Sequence, residues 1–288
     1  MRVGVLAVGL SVVVLGLAAT ATGGPSAPAA IPGCAKANLD LVEDGQLSLA
    51  TDNPAFPPWW GGAAKKPWQI SNPASGKGYE SAVAYAVAKQ LGFSKGQVAW
   101  SAVPFSNSFR PGKKPFDFYM AQVSYLPARA KNVSFSNSYY FVNQAVVANA
   151  GSGISRVKSV AGLRPYKLGA QVGTTSYDYI KDFIRPSQTR GVYDSNNDAI
   201  SALNSGQIDG IVVDLPTAFY VVAVQLDNGT IVGKLPQRGP REHFGMVFEK
   251  GNPLVKCVNK ALNRVWANGT MKQLQKKYLA QAGAPDLR

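Results

Sequence analysis

The sequence predicts an α/β fold built from two units, and three observations support this. Strand-like runs alternate with helical runs, with turn residues between them, which is the pattern of α/β proteins. The length of 288 residues leaves room for one large or two medium domains. The Gly-Ser-Gly stretch at residues 151–153 separates a longer first part from a shorter second α/β part.

The N-terminus predicts a signal peptide over residues 1–21. Arg2 supplies a positive charge, the apolar run 3–18 follows, and residues 19–21 (ATA) match a cleavage site. This run is short for a stable membrane span. Residues 22–37 are rich in Gly, Pro and Ala and predict a flexible leader. We therefore expect an exported protein in the periplasm or at the cell surface.

The two cysteines, Cys34 and Cys257, leave two alternatives. In an exported chain an isolated pair is most simply a disulfide. Alternatively, the sequence Ile-Pro-Gly-Cys before position 35 marks Cys34 for lipidation, although it lies well past the apolar run. The sequence favours the disulfide.

The composition is strongly basic, with 30 Lys and Arg against 16 Asp and Glu, a formal charge of +14. Export and the lack of a base-stacking motif argue against a nucleic-acid partner. The basic residues are spread out, and those of the last two helices, at helical spacing, are typical of a solvated face. Attraction to an anionic cell envelope is the other interpretation.

Three strands and one helix are expected in the first unit. A strand over residues 46–51 precedes an aromatic, proline-rich loop at 53–60, which is typical of an apolar wall of a small-molecule site or of a covered core edge. A helix over 78–91 and strands over 97–103 and 118–123 follow.

After the last of these strands, Ser124 and Arg129 lie five residues apart across a corner. Pro127 predicts the start of a helical turn there. A helix start favours negative charge, and a guanidinium can grip two carboxylate oxygens, so the corner predicts a carboxylate site. A surface Arg in an ordinary ion pair is the alternative.

The second unit and the return of the chain continue the pattern of strands and helices. Asp214 ends a buried-looking strand, and residues 173–175 turn into a helix. Strands are expected at 143–149, 167–171, 208–213, 230–235 and 243–248, and helices at 176–184, 194–204, 217–226, 252–267 and from about 270.

Six segments in a fixed order resemble one family. They are TDNPAFPPWW, GKGYESAVAYAVAKQLG, VSYLPAR followed by VSFSNSYY, AQVGTT, IDGIVVDLPTAFY and FGMVFEKGNPL, and they span roughly residues 46–279. The chain resembles the extracytoplasmic amino-acid-binding proteins of ABC transporters, bacterial solute-binding protein family 3. The resemblance implies a two-lobe periplasmic-binding-protein (type II) fold with the ligand in the inter-lobe cleft.

With this resemblance, we expect lobe 1 at residues 38–148 plus 243–288 and lobe 2 at 149–242. The implied function is capture of a free amino acid, with a polar or neutral one preferred, and its delivery to a membrane ABC permease. No catalytic residue, metal or cofactor is expected, and the protein is expected to be a monomer. The alternatives are an enzyme on the same fold, of the dehydratase or cell-wall lytic type, and a ligand-sensing receptor module.

The resemblance also implies the binding residues at matching positions. It assigns Arg129, Ser124, Thr174 and Thr175 to the ligand's α-carboxylate and Asp214 to its α-ammonium group. Phe56, Phe105 and Asp52 match positions around the ligand's side chain. Two positions depart from the family pattern: Gln122 replaces a small or hydroxyl residue and is expected to reach the ligand, and Leu126 replaces Thr.

Overall fold

The structure, a computed structural model, describes Gly4, residues 29–279 and residues 283–288. The predicted signal peptide, apart from Gly4, and residues 22–28 of the predicted leader lie outside the described residues. The described chain forms two α/β lobes, each around a five-stranded sheet, and a two-stranded ribbon where the chain crosses between them. The α/β fold predicted from the sequence is confirmed.

The first sheet belongs to lobe 1. Its strands are β1 (Leu47–Thr51), β2 (Val98–Ala102), β3 (Phe118–Tyr119), β4 (Val133–Phe135) and β12 (Val247–Glu249). Their order is β2-β1-β3-β12-β4, with β1 parallel to β2 and β3 and with β12 antiparallel to β3 and β4. The antiparallel strand arises because the chain re-enters this sheet from the other lobe.

The helices of lobe 1 are α1 (Tyr79–Gln90), α2 (Phe105–Ser108), α3 (Pro127–Ala130), α7 (Leu254–Ala267) and α8 (Thr270–Leu279). Helices α7 and α8 pack on α1 and on each other. The buried side of α7 carries Leu254, Val258, Ala261, Leu262 and Val265. This spacing of three and four residues is the apolar stripe that its sequence predicts.

The N-terminal segment is fixed to α7. Cys34 is disulfide-bonded to Cys257, and the Nζ of Lys260 donates to the carbonyl oxygen of Pro32 at 2.9 Å. Ile31 is only 4% exposed. The disulfide prediction is confirmed, and the sulfur of Cys34 is not free for a lipid. The leader prediction was too long, because this cross-link and the burial of Ile31 hold residues 31–37 against lobe 1.

Lobe 2 has a second sheet with helices on both faces. Its strands are β6 (Gln144–Asn149), β7 (Leu168–Gln171), β8 (Gly191–Tyr193), β9 (Gly210–Asp214) and β10 (Gly229–Lys234), in the order β10-β6-β9-β7-β8. Val146 and Val147 of β6 are both fully buried but pack in different clusters. Alternate side chains of a strand point to opposite faces, so each face of this sheet buries its own core.

The helices of lobe 2 are α4 (Thr175–Tyr179), α5 (Asn196–Asn204) and α6 (Leu215–Tyr220). A π-helical turn extends α4 through Ile180–Ile184, and another extends α6 through Val221–Gln225. Ser195 caps α5, because its hydroxyl accepts from the backbone N–H of Asp198. These helices fill the spans predicted from the sequence.

Two segments lie in lobe 2 rather than in lobe 1, where the sequence placed them. Strand β6 pairs with β9 and β10, so residues 144–148 belong to the second sheet. Leu287, near the end of the chain, is 3% exposed in the core of lobe 2. An apolar strand and a short tail carry no local signal for the sheet that will bury them.

The crossing ribbon consists of β5 (Tyr140–Phe141) and β11 (His243–Phe244), which pair antiparallel. Two predicted strands are shorter than expected. The strand expected over 118–123 ends at Tyr119, and Gln122 has a φ of 52°, outside the extended region. The strand expected over 243–248 is divided between the ribbon and β12. None of the described helices is both long and apolar enough to cross a membrane.

Candidate functional site

A cavity of about 110 Å³ lies between the two lobes. All nine side chains that the sequence assigned to the ligand border this one cavity, although they come from both lobes. They are Asp52, Phe56, Phe105, Gln122, Ser124, Arg129, Thr174, Thr175 and Asp214. Trp59 and Trp60, weaker candidates, border it as well. The structure therefore brings the predicted residues together at one site.

Arg129 is held in a fixed position at the start of a short helix. Its residue is 7% exposed, and its guanidinium lies 4.6 Å from the centre of the Phe109 ring. It donates at 2.7 Å to the carbonyl oxygens of Ser124 in lobe 1 and of Gly173 in lobe 2. Burial lowers the pKa of Arg129 to about 10, so the group stays charged at neutral pH. A guanidinium has five N–H donors, so others remain for a ligand.

Ser124 is buried at the same corner, and its hydroxyl has a partner that the sequence did not predict. The Oγ of Ser124 donates to an Oε of Glu242 at 2.6 Å. Glu242 lies in the second crossing segment, just before β11. A serine hydroxyl carries one proton, so a ligand carboxylate has to compete with Glu242 for this hydrogen bond.

Asp214 stands at the end of β9, where α/β sheets present their ligand-binding side chains. Its carboxylate accepts from the Nε2 of Gln144 at 2.8 Å. The same nitrogen lies 3.2 Å from the other Oε of Glu242. Burial raises the pKa of Asp214 well above its usual value, and the negative charge of Glu242 raises it further.

Thr174 and Thr175 form the start of α4. The Oγ1 of Thr174 accepts from the backbone N–H of Tyr177 at 3.2 Å and donates to the carbonyl oxygen of Gln171 at 2.7 Å. Thr174 is thus the N-cap of the helix. The Oγ1 of Thr175 lies 3.4 Å from the Nε2 of Gln144. This helix start borders the cavity beside Arg129, which donates to the carbonyl oxygen of Gly173.

Asp52, Phe56 and Phe105 border another part of the cavity. Burial raises the pKa of Asp52, while hydrogen bonds from the backbone N–H groups of Asn53 and Phe105 oppose the change. The ring of Phe56 lies 6.4 Å from that of Tyr220 in lobe 2. The guanidinium of Arg129 lies 5.6 Å from the Phe105 ring. One carboxylate and two aromatic rings therefore line this part.

Gln122 borders the cavity, but its amide points away from the expected contact. Its backbone N–H donates to an Oε of Glu80 at 2.7 Å, and its Nε2 donates to the other Oε. Tyr139 also donates its hydroxyl to Glu80. A buried carboxylate therefore takes the Nε2 of Gln122, and the expectation that its amide reaches the ligand stays a prediction.

Three side chains at or beneath the cleft were missed in the sequence: Glu80, Gln144 and Glu242. Glu80 interrupts an otherwise apolar helical stripe, and Gln144 begins an otherwise apolar strand, so each gives a weak local signal. Glu242 lies in a turn-rich basic segment and gives none. Within the described part of the chain, no three His, Cys, Asp or Glu side chains come together as a metal site.

A family model matches residues 61–281, about three quarters of the chain; its description is bacterial extracellular solute-binding proteins, family 3. The chain belongs to this family. The resemblance noted in the sequence is thus confirmed over most of the chain.

Individual members of the family are similar over most of their lengths. The L-cystine-binding protein TcyJ of Escherichia coli (strain K12) is 28% identical over 205 residues, 70% of this chain and 73% of the relative. The arginine-binding extracellular protein ArtP of Bacillus subtilis (strain 168) is 25% identical, with 74% of this chain and 82% of the relative covered. Both are named as amino-acid-binding proteins.

Solved structures show the same fold. An ancestral arginine-binding protein bound to arginine has a TM-score of 0.66 and 27% identity, covering 82% of this chain and 99% of its own. The two-lobe type II fold implied by the resemblance is thereby confirmed.

Proposed function

We propose that this protein captures a free amino acid in the cavity between its lobes and delivers it to a membrane ABC permease. The observation that carries the proposal is the convergence of Arg129 and Asp214 on one enclosed cavity. A guanidinium suits the α-carboxylate, and a carboxylate suits the α-ammonium group. Membership in an extracellular solute-binding family supports both the transport role and an extracytoplasmic location.

The bound amino acid has a polar side chain in this proposal. Lobe 1 contributes the polar side chain of Asp52 to the cavity. Lobe 2 contributes the amide side chains of Gln171, Asn196, Asn197 and Gln225. Such a wall leaves polar groups unpaired against an aliphatic side chain, which costs binding free energy. Relatives named for cystine and arginine are consistent with a polar ligand.

The protein acts as a binding protein rather than an enzyme in this proposal. His243, the one histidine of the chain, lies in the crossing ribbon, where its ring stacks on Tyr125 at 5.5 Å. It does not border the inter-lobe cavity. This position gives no support to the enzyme alternative.

A thermal-shift screen of the twenty amino acids tests the proposal. A ligand that binds only the folded state stabilises it by about 2.7 kcal/mol at 100 times its Kd. We expect at least one polar amino acid to raise the Tm of the wild type. Arg129→Lys should weaken the binding of the same amino acid about 100-fold or more, because a lysine cannot form the bidentate contact with the α-carboxylate.

Arg110→Lys is the matched control, since Arg110 is exposed and outside the cavity. The fold of each variant is checked by circular dichroism. The proposal is wrong if no amino acid shifts the Tm of the wild type, or if Arg129→Lys binds the amino acid as tightly as the control.

A further inference from the structure

Two carboxylates from different segments meet at the amide of Gln144. Asp214 comes from the end of β9 and Glu242 from the second crossing segment. The Nε2 of Gln144 lies 2.8 Å from Asp214 and 3.2 Å from Glu242. Gln144 is 4% exposed, and its Oε1 accepts from the hydroxyl of Ser176 at 2.6 Å, which fixes the orientation of the amide. The two acids are therefore held close together by one buried donor.

No cation neutralises this pair by direct contact. Among the described residues, neither Asp214 nor Glu242 forms an ion pair within 4.0 Å. Arg129 is a cation whose charge acts on both acids, but its Nη1 and Nη2 groups donate to the carbonyl oxygens of Ser124 and Gly173. The pair thus has an unfilled demand for positive charge.

The other ionisable groups around the pair leave this demand unmet. Glu80 lies beneath the cleft floor and adds negative charge. The phenols of Tyr139 and Tyr140 lie close to Asp214 and are neutral, because burial raises the pKa of each. Arg241 lies near Tyr140, but its guanidinium stacks on the ring of Phe141 at 4.6 Å.

The negative charge of Glu242 disfavours ionisation of the buried Asp214, because like charges repel strongly away from water. Burial, followed by the charge of Glu242, raises the pKa of Asp214 well above its usual value. Without a ligand, burial and this neighbouring charge therefore favour a proton on Asp214. An arriving ammonium group supplies the positive charge that the proton supplied before.

We propose that the negative charge of Glu242, held behind the cavity wall by Ser124 and Gln144, acts together with Asp214 to attract the ligand's ammonium group, and that binding of this group releases a proton from Asp214. The inference rests on the proposed amino-acid ligand and adds a residue and a proton to its binding. The O–H bond of the carboxyl group breaks and the proton passes to water. The ammonium group keeps its three protons, so charge and atoms balance.

Glu242 has a second role in this arrangement, as a positioning residue. Its other oxygen accepts from the hydroxyl of Ser124, which comes from lobe 1, whereas Gln144 and Asp214 belong to lobe 2. The network thus connects both lobes at the point where the α-carboxylate and α-ammonium groups of an amino acid are expected.

Isothermal titration calorimetry tests the proposal with L-arginine, or with another amino acid if the thermal-shift screen identifies one. Titrations at pH 7 in phosphate and in Tris differ in the heat of buffer ionisation. We expect the wild type to release up to one proton per amino acid bound, so the observed enthalpies differ between the buffers. In the pH range where Asp214 is still protonated without a ligand, the affinity for the amino acid should rise by up to tenfold per pH unit.

Glu242→Gln should release a smaller fraction of a proton and bind about tenfold more weakly at pH 8, because the neutral amide neither raises the pKa of Asp214 nor attracts the ammonium group. Asp227→Asn, at an exposed site outside the cavity, should behave as the wild type. The Nα-acetyl derivative of the same amino acid lacks the ammonium group and should release no proton.

The proposal is overturned if the wild type shows equal binding enthalpies in both buffers. It is also overturned if Glu242→Gln, folded by circular dichroism, keeps the wild-type affinity and proton release. If no amino acid binds the wild type at all, the proposed function itself fails, which is a different outcome from binding without proton release.

Discussion

Glu80 is a carboxylic acid enclosed beneath the floor of the cleft, with 0% exposure. Three donors face it: the backbone N–H and side-chain amide of Gln122 and the hydroxyl of Tyr139. It forms no ion pair among the described residues. Burial raises the pKa of Glu80 to about 7, although these hydrogen bonds oppose the change. Its charge state therefore changes near neutral pH.

The raised pKa of Glu80 predicts that the free energy of unfolding decreases as the pH rises. The pKa in the folded state lies above the unfolded value of 4.5, so the folded protein binds the extra proton between these values. The contribution of this proton to the free energy of unfolding is up to about 3 kcal/mol. It is fully present below pH 4.5 and is lost as the pH rises through 7. Urea unfolding at pH 5 and pH 8 measures it.

Glu80→Gln removes the titrating group and should flatten this pH dependence, whatever its cost in stability at pH 5. Glu43→Gln is the control, because Glu43 is exposed. An undiminished difference between pH 5 and pH 8 in Glu80→Gln would contradict the prediction.

Glu80 also determines where the side-chain amide of Gln122 points. A departure from the family pattern at a site position suggested a ligand contact, but the positive φ of Gln122 turns its backbone N–H and amide towards the buried acid. By contrast, Arg129 and Asp214 stand at a helix start and a strand end that the local sequence marks, and both border the cavity as expected.

At the scale of the elements, the C-terminal tail (residues 283–288) pairs with β10, the edge strand of the lobe 2 sheet. The backbone N–H of Lys234 donates to the carbonyl oxygen of Pro285 at 2.7 Å, and that of Leu287 donates to Lys234 at 2.9 Å. Leu287 lies over Gly233, where an added Cβ would come within 2.6 Å of the Cγ of the leucine. The glycine thus provides the space that the tail needs.

The contact between Gly233 and Leu287 predicts a measurable coupling. Gly233→Ala should lower the free energy of unfolding by about 1–3 kcal/mol through overpacking. Leu287→Ala should lower it by about 2–4 kcal/mol, because it empties a buried site. The double variant should lose less than the sum, since alanine at 287 relieves the clash.

Urea unfolding of the four proteins measures this coupling. Gly96→Ala is the control, because a Cβ there meets no atom within 4 Å. Strict additivity of the two changes would show that the tail does not pack on Gly233 in solution.

At the scale of the whole molecule, the lobes are in contact across the cavity. The Nε1 of Trp59 in lobe 1 donates to the Oγ1 of Thr217 in lobe 2 at 2.9 Å. Arg129 donates across the cleft to Gly173, and the rings of Phe56 and Tyr220 meet. These contacts exist only when the lobes are close together, so they stabilise the closed arrangement.

Thr217→Val is predicted to weaken amino-acid binding by about fivefold to tenfold. Valine has nearly the same shape but cannot accept the hydrogen bond, so the closed state loses about 1 kcal/mol or slightly more. The free energy of unfolding of either lobe should change by less than about 0.5 kcal/mol, because the contact lies between the lobes and not within one. Calorimetric titration and urea unfolding measure the two effects.

Thr230→Val on β10 is the matched control. Equal affinities of Thr217→Val and this control would contradict a role for the Trp59 contact in closure.

The sequence by itself determined the α/β class, the cystine pair, most of the elements and the residues that border the candidate site. These features depend on local periodicity, on caps and on motifs whose order is visible in the chain. Tertiary structure decided which sheet receives β6 and the tail, where the amide of Gln122 points, and that Glu242 and Asp214 share the amide of Gln144. The reason is physical: these contacts join residues far apart in the chain, and their energies depend on distance and burial, which exist only once both lobes have folded.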